Sequence, residues 1–100
     1  MTFNLNVPDI QFEILDLLVG NNGMYGLEMV KASTKLKRAT IYVHLGRLED
    51  KNWLRSEAEQ VPGESGMARR RYYLTGEGQR AHSAARAAQN AFTGFSGALA

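Results

Sequence analysis

At Asn52 the hydrophobic period of this chain changes, and the change fixes the order of what it can build. Before it, apolar residues recur at helical spacing: Ile10, Ile14, Leu17 and Leu18, then Leu27 and Val30, then Ile41, Leu45 and Leu48. After it, Trp53 to Glu59 and Arg69 to Thr75 alternate with period two, and the Pro62-Gly63 step within residues 60–66 turns one run back on the other. Gly20-Asn21-Asn22-Gly23 ends the first helix, which Pro8-Asp9 opens. The second is expected from Met24 or Tyr25 to Ser33, and the third from Lys37 or Arg38 to Lys51. A short helix, a brief turn, a longer helix and a hairpin make a mainly α fold with a small antiparallel β-hairpin. That is a winged helix-turn-helix: a three-helix core, a two-stranded wing and a C-terminal helix.

With 100 residues, 44% of them hydrophobic, the chain suffices for one domain that folds without covalent staples. It has no cysteine, so a disulfide framework and a thiolate metal site are both excluded. No apolar run approaches the roughly 20 residues of a membrane helix. The N-terminal residues lack a basic, signal-like start. These features predict a cytoplasmic protein with no membrane partner.

The net charge of +2 conceals an asymmetry. Residues 1–30 carry Asp9, Glu13, Asp16 and Glu28 and neither Lys nor Arg. Residues 31–55 carry Lys31, Lys35, Lys37, Arg38, Arg47, Lys51 and Arg55 against only Glu49 and Asp50. Positive charge therefore gathers around the third helix, as a footprint for a polyanion requires, although an unevenly charged solvated surface would look the same.

That helix buries Ile41, Leu45 and Leu48 on one face. The opposite face holds Ala39, Thr40, Val43, Arg47 and Asp50, with His44 on its flank. Small, hydroxylated, methyl-bearing and Arg side chains suit base edges and phosphates. A start at Lys37-Arg38 also sets two cations against the positive end of the helix dipole with no side-chain cap in front, an arrangement that a bound phosphate would relieve. The other reading has Thr34 capping a slightly longer helix and both cations solvated. Arg69, Arg70 and Arg71 point to both faces of the second wing strand, so at least one should reach phosphate or a minor groove, unless all three only protect a sheet edge.

Past the wing, Thr75 is placed to cap a helix over residues 79–92, with Ala81, Ala84, Ala85, Ala88 and Phe92 along one stripe and residues 94–100 as a tail. Alanines bury little area but let two backbones approach closely. The stripe is expected to pack on a second copy across a two-fold axis, or else on its own domain. The division is then a DNA-binding domain over residues 1–75 and a dimerisation helix over 76–100. His44 and His82 stand apart from any carboxylate or thiol constellation, so no catalytic or metal site and no cofactor is expected. His44 reads as a polar reader of DNA or as a plain surface histidine.

Four blocks now stand in order: residues 24–31 (MYGLEMVK), 38–51 (RATIYVHLGRLEDK), 54–57 (LRSE) and 70–78 (RRYYLTGEG). Together they resemble the PadR family of winged-helix transcriptional regulators, over about residues 10 to 80. The resemblance implies a dimeric, usually repressive DNA-binding protein of bacterial or phage origin. It matches Thr40 and Tyr42 to the Thr-aliphatic-Tyr element that opens the recognition helix, and Arg69 to Arg71 to the second wing strand. Two departures stand out. Lys37-Arg38-Ala39 replaces the hydroxyl residue, Pro and Gly that lead into this helix in many members, and only 25 residues follow Thr75 where many members carry a multi-helix domain.

The resulting expectation is a sequence-specific regulator, not an enzyme, that binds double-stranded DNA as a homodimer. Thr40, Val43, His44 and Arg47 would face bases. Lys35, Lys37, Arg38, Tyr42 and the wing arginines would hold the backbone. A winged-helix module that recruits an acidic protein partner is the alternative, and no small-molecule effector is identified.

Overall fold

Ile14, Leu15, Met29, Ile41, Leu45, Leu48 and Leu54 are the largest fully buried side chains, and the architecture follows from how four segments bring them together. The computed structural model describes residues 7–60 and 69–98, with side chains described through residue 91. In chain order these form α1 (Asp9–Val19), β1 (Met24–Tyr25), α2 (Gly26–Ala32), α3 (Ile41–Asp50), β2 (Leu54–Glu59), β3 (Arg69–Leu74) and α4 (Gly76–Ala98). The three-helix core, the hairpin and the C-terminal helix all occur as the periodicity predicts. The Pro62-Gly63 turn lies outside the described residues.

The start of α2, the number of strands in the sheet and the start of α3 differ from the sequence reading, each for a local reason. Met24 and Tyr25 are a strand and not the start of α2. Gly23 takes a φ of 92°, which turns the chain alongside β3, where Met24 pairs with Tyr72 and Tyr25 with Arg71. The two-stranded wing is thereby part of a three-stranded antiparallel sheet of order β1-β3-β2. In α2 the fully buried side chain is then Met29, with Val30 half-buried against the core as its spacing predicts, while Leu27 is exposed. The third difference is the start of α3. Lys37 and Arg38 precede this helix, because the Lys37 carbonyl accepts from the N–H groups of Thr40 (3.1 Å) and Ile41 (2.9 Å) and closes a turn there.

The end of α3 explains the change of period. Asn52 adopts φ 62°, its N–H bonds the Glu49 carbonyl (2.9 Å) and Trp53 N–H bonds the Leu48 carbonyl (3.0 Å). This is a Schellman termination with Asn in the left-handed position, and it releases the chain directly into β2. Leu54 pairs with Leu74 and Glu59 with Arg69, so Leu54 and Tyr72 turn into the core while Arg55, Glu57, Arg71 and Tyr73 share the outer face.

Thr75 caps α4 as expected. Its hydroxyl accepts from Gly78 N–H (2.9 Å) and donates to the Asn52 carbonyl (2.7 Å), joining the ends of two helices. The first half of α4 packs on α1: Ala81, His82 and Ala85 are buried, His82 stacks on Phe12 with ring centroids 5.0 Å apart, and Asp16 receives hydrogen bonds from His82 (2.8 Å) and Arg86 (2.6 Å). Ala81 and Ala85 therefore face their own domain, which corrects the assignment of both to an interface with a second copy. Ala84 is half-buried and Ala88 exposed, and the side chain of Phe92 lies outside the described residues. The helix continues past Phe92 to Ala98.

Candidate nucleic-acid interface

The turn from α2 to α3 is held from inside and left open outside. Leu36 is anchored in the core at 3% exposure, and buried Ser33 uses its hydroxyl to accept the Lys35 N–H (3.2 Å). Around these two fixed points Lys35, Lys37, Arg38, Ala39 and Thr40 are all exposed. Thr40 is the N-cap residue of α3, and its side chain makes no capping bond; the Ile41 N–H is taken by the Lys37 carbonyl and those of Val43 and His44 by the Thr40 carbonyl, which leaves the Tyr42 N–H as the open donor of the first turn.

On α3 itself Tyr42, Val43 and Arg47 are exposed and His44 is half-buried. Among the described residues four large hydrophobics are exposed, and three of them, Leu27, Tyr42 and Val43, lie on this pair of helices. Apolar side chains there are not explained by the core, which α3 already fills with Ile41, Leu45 and Leu48. Tyr42 is placed by a close approach: a Cβ on Gly26 would come within 2.8 Å of its ring, so only glycine at the start of α2 lets the ring lie where it does. None of Lys35, Lys37, Arg38 and Arg47 forms an ion pair among the described residues, whose ionic contacts are Arg55–Glu57, Arg71–Glu59 and Asp16 with His82 and Arg86. Lys51 turns away, donating to buried Gln11 (2.6 Å) with its ammonium 4.6 Å from the Trp53 ring centroid.

The wing arginines divide. Arg70 is on the face that looks toward α3 and donates to Ser56 Oγ (3.1 Å), which donates in turn to Glu49 Oε2 (2.7 Å), tying wing to helix. Arg69 is exposed, with its guanidinium 5.6 Å from the Tyr25 ring centroid. Arg71 is held by its own chain: Nε donates to Glu59 (2.8 Å), one terminal nitrogen to the Tyr25 hydroxyl (2.8 Å) and the other to the Gly23 carbonyl (3.3 Å). Glu59 is accordingly held below the usual carboxylate range by Arg71 and then Tyr25, while its bond to Glu59 pushes the Tyr25 phenol up. Three of its five N–H donors are thus engaged within the chain, which ties Arg71 to the sheet more firmly than its two neighbours, while the phosphate contact expected of it is left to the two remaining donors. The sequence offered no sign of this, since β1 was hidden inside a helical-looking run.

The arrangement joins a basic turn, a mixed helical face and a cationic wing edge. Residues 14–84 match the family described as transcriptional regulator PadR-like. Among solved structures, a PadR family transcription regulator from hypervirulent Clostridium difficile is 26% identical with a TM-score of 0.77, the match covering 92% of this chain and 98% of that one. A PadR-like transcription factor from Bacteroides fragilis is similar in fold at 21% identity and a TM-score of 0.78, covering 91% and 89%. A PadR family regulator from Eggerthella lenta gives 24% and 0.75, covering 90% and 80%. No protein of curated function matches the sequence.

Proposed function

The chain belongs to the PadR-like family of transcriptional regulators, and from that premise we propose that it represses transcription by binding specific double-stranded DNA sites as a homodimer. It is a regulator and not an enzyme, as its family is. The α3 helix of each subunit enters a major groove, and the two grooves lie about 34 to 36 Å apart on one side of the duplex. Thr40, Val43, His44 and Arg47 face base edges. Lys35, Lys37, Arg38 and the Tyr42 hydroxyl hold phosphates around the start of α3, and Arg69 and Arg70 reach the backbone from the wing. The protein works in the cytoplasm, where bacterial or phage DNA lies.

The observation that carries this reading is the run of exposed cations, unpaired among the described residues, that flanks exposed Tyr42 and Val43 on a helix whose core face is already filled. Solvation alone accounts for the cations but not for the apolar side chains between them. The dimer rests on α4: residues 86–91 are all exposed within one chain, and an isolated helix of that kind is marginal in water without a partner. Ala84, Ala88 and Phe92 supply the close approach.

Selection of bound sites from random duplex DNA, followed by titration at several salt concentrations, tests the proposal. A palindromic site with affinity falling steeply in salt is expected. Arg47→Ala and Arg69→Ala should each weaken binding. Retention of full affinity by both variants, or binding without site preference, would overturn the reading.

A further inference from the structure

Of the side chains on the outer face of α3, His44 has a feature that none of its neighbours shares. Its ring is half-buried, and Nδ1 is buried with no hydrogen-bond partner among the described residues. The backbone N–H of His44 is satisfied by the Thr40 carbonyl at 3.3 Å, so the orphan belongs to the side chain alone. A neutral imidazole carries one N–H and one bare lone pair, and which nitrogen holds the proton follows from what each can bond. Burying an N–H without an acceptor is the rarer and more costly of the two choices, whereas a bare lone pair is tolerated more readily. The proton therefore sits on Nε2, the nitrogen away from the buried edge.

We infer that His44 is a specificity-determining residue held as a fixed hydrogen-bond donor, which reads an acceptor edge, guanine in preference, and rejects cytosine at the base it meets. This deepens the DNA-binding reading above and rests on it. In the major groove guanine offers two neighbouring acceptors, N7 and O6, whereas cytosine presents only the N4 amino donor. An Nε2–H finds a partner across the whole guanine edge. Against cytosine it opposes donor to donor, and the ring cannot exchange roles, because Nδ1 faces the protein. Asn, Gln or a freely rotating Ser at the same position would carry both functions and discriminate less. The buried edge of the ring thus sets what the outer edge can recognise.

Two measurements on the full chain test this, and only the second depends on DNA binding. Long-range proton–nitrogen correlation spectra of uniformly nitrogen-15-labelled protein distinguish the two tautomers. The chain has two histidines, so a His44→Ala spectrum assigns the ring. The Nε2–H pattern is expected, and an Nδ1–H pattern or an averaged ring would overturn the inference whatever the protein binds. In the second arm, selected sites are altered one pair at a time. Exchanging guanine for cytosine at one position of each half-site should weaken the wild type about tenfold and His44→Ala by less than about twofold. If His44→Ala keeps the wild-type preference at every position, base reading by His44 is wrong although DNA binding stands. If the wild type itself has no preferred site, the function proposed above fails and the readout with it, while the tautomer remains separately measured. His44→Ala removes a buried orphan and keeps a good helix former, so the variant should fold.

Discussion

Arg69, Arg70 and Arg71 are consecutive and equal in charge, and they end in three different environments. Strand alternation puts Arg70 on the side facing α3 and the other two outside, and β1 then separates the outer pair by enclosing only Arg71. Replacement should sort them. Arg71→Ala leaves Glu59 and the Tyr25 hydroxyl without their cation, so it should lower the thermal midpoint while leaving the salt dependence of DNA binding unchanged. Arg69→Ala should leave the midpoint alone and reduce the slope of log affinity against log salt by about one. The reverse assignment, with Arg71→Ala altering only the slope, would mean that the sheet network dissolves on DNA. Gly78 is constrained more severely: a Cβ there would lie 2.0 Å from the Trp53 carbonyl oxygen. Gly78→Ala should cost about 1 to 3 kcal/mol or more, seen as a lower urea midpoint at unchanged slope.

At the scale of elements, long amphipathic runs were legible and short pairings were not. Ile14, Leu18, Ile41, Leu45 and Leu48 announce α1 and α3 because a buried stripe at 3.6-residue spacing has few other uses. The two residues of β1 carry no period of their own; they become a strand only because β3 offers a free edge, and β3 is distant in sequence. The start of α3 shifted for a similar reason: Leu36 must be buried, which makes residues 37–40 a turn and leaves Lys37 and Arg38 outside the helix. Its end depends on one residue. Asn52 is the sole non-glycine with positive φ among the described residues, so Asn52→Ala should lose about 1 kcal/mol by equilibrium unfolding, and Asn52→Gly should lose little or gain. The α1–α4 contact depends on pH instead. The His82 hydrogen bond, with Arg86, holds the Asp16 carboxyl below the usual carboxylate range. A depressed folded-state pKa means that the stabilisation is complete above the unfolded value, near pH 4, and is lost as pH falls through the folded one. Asp16→Asn should therefore flatten the acid limb of the stability profile, and an unchanged limb would place that dependence elsewhere.

The whole molecule has the proposed DNA-binding surface at one end and a helix leaving its own domain at the other. Ala81, His82 and Ala85 fasten the start of α4 to α1 and Arg86 adds its bond to Asp16, which fixes the direction of departure, and residues 87–91 are then all exposed. Two copies joined along that departing stretch would be set rigidly with respect to their α3 helices, because Thr75 links the base of α4 to the end of α3 through the Asn52 carbonyl. Spacing on DNA is then a property of the α4 pair and not of either binding surface alone. Ala88→Glu separates the two roles: Ala88 is exposed within one chain, so the fold should persist, while a carboxylate placed where two backbones approach should dissociate the dimer. Sedimentation should show a monomer with an unchanged far-ultraviolet circular dichroism spectrum. Binding to a two-half-site operator should weaken far more than binding to a single half-site, since the second contact loses its high effective concentration. Ala81→Glu, at a position only 7% exposed, should unfold the protein instead. A folded Ala88→Glu that remains dimeric and keeps its operator affinity would remove α4 from the interface and detach half-site spacing from it.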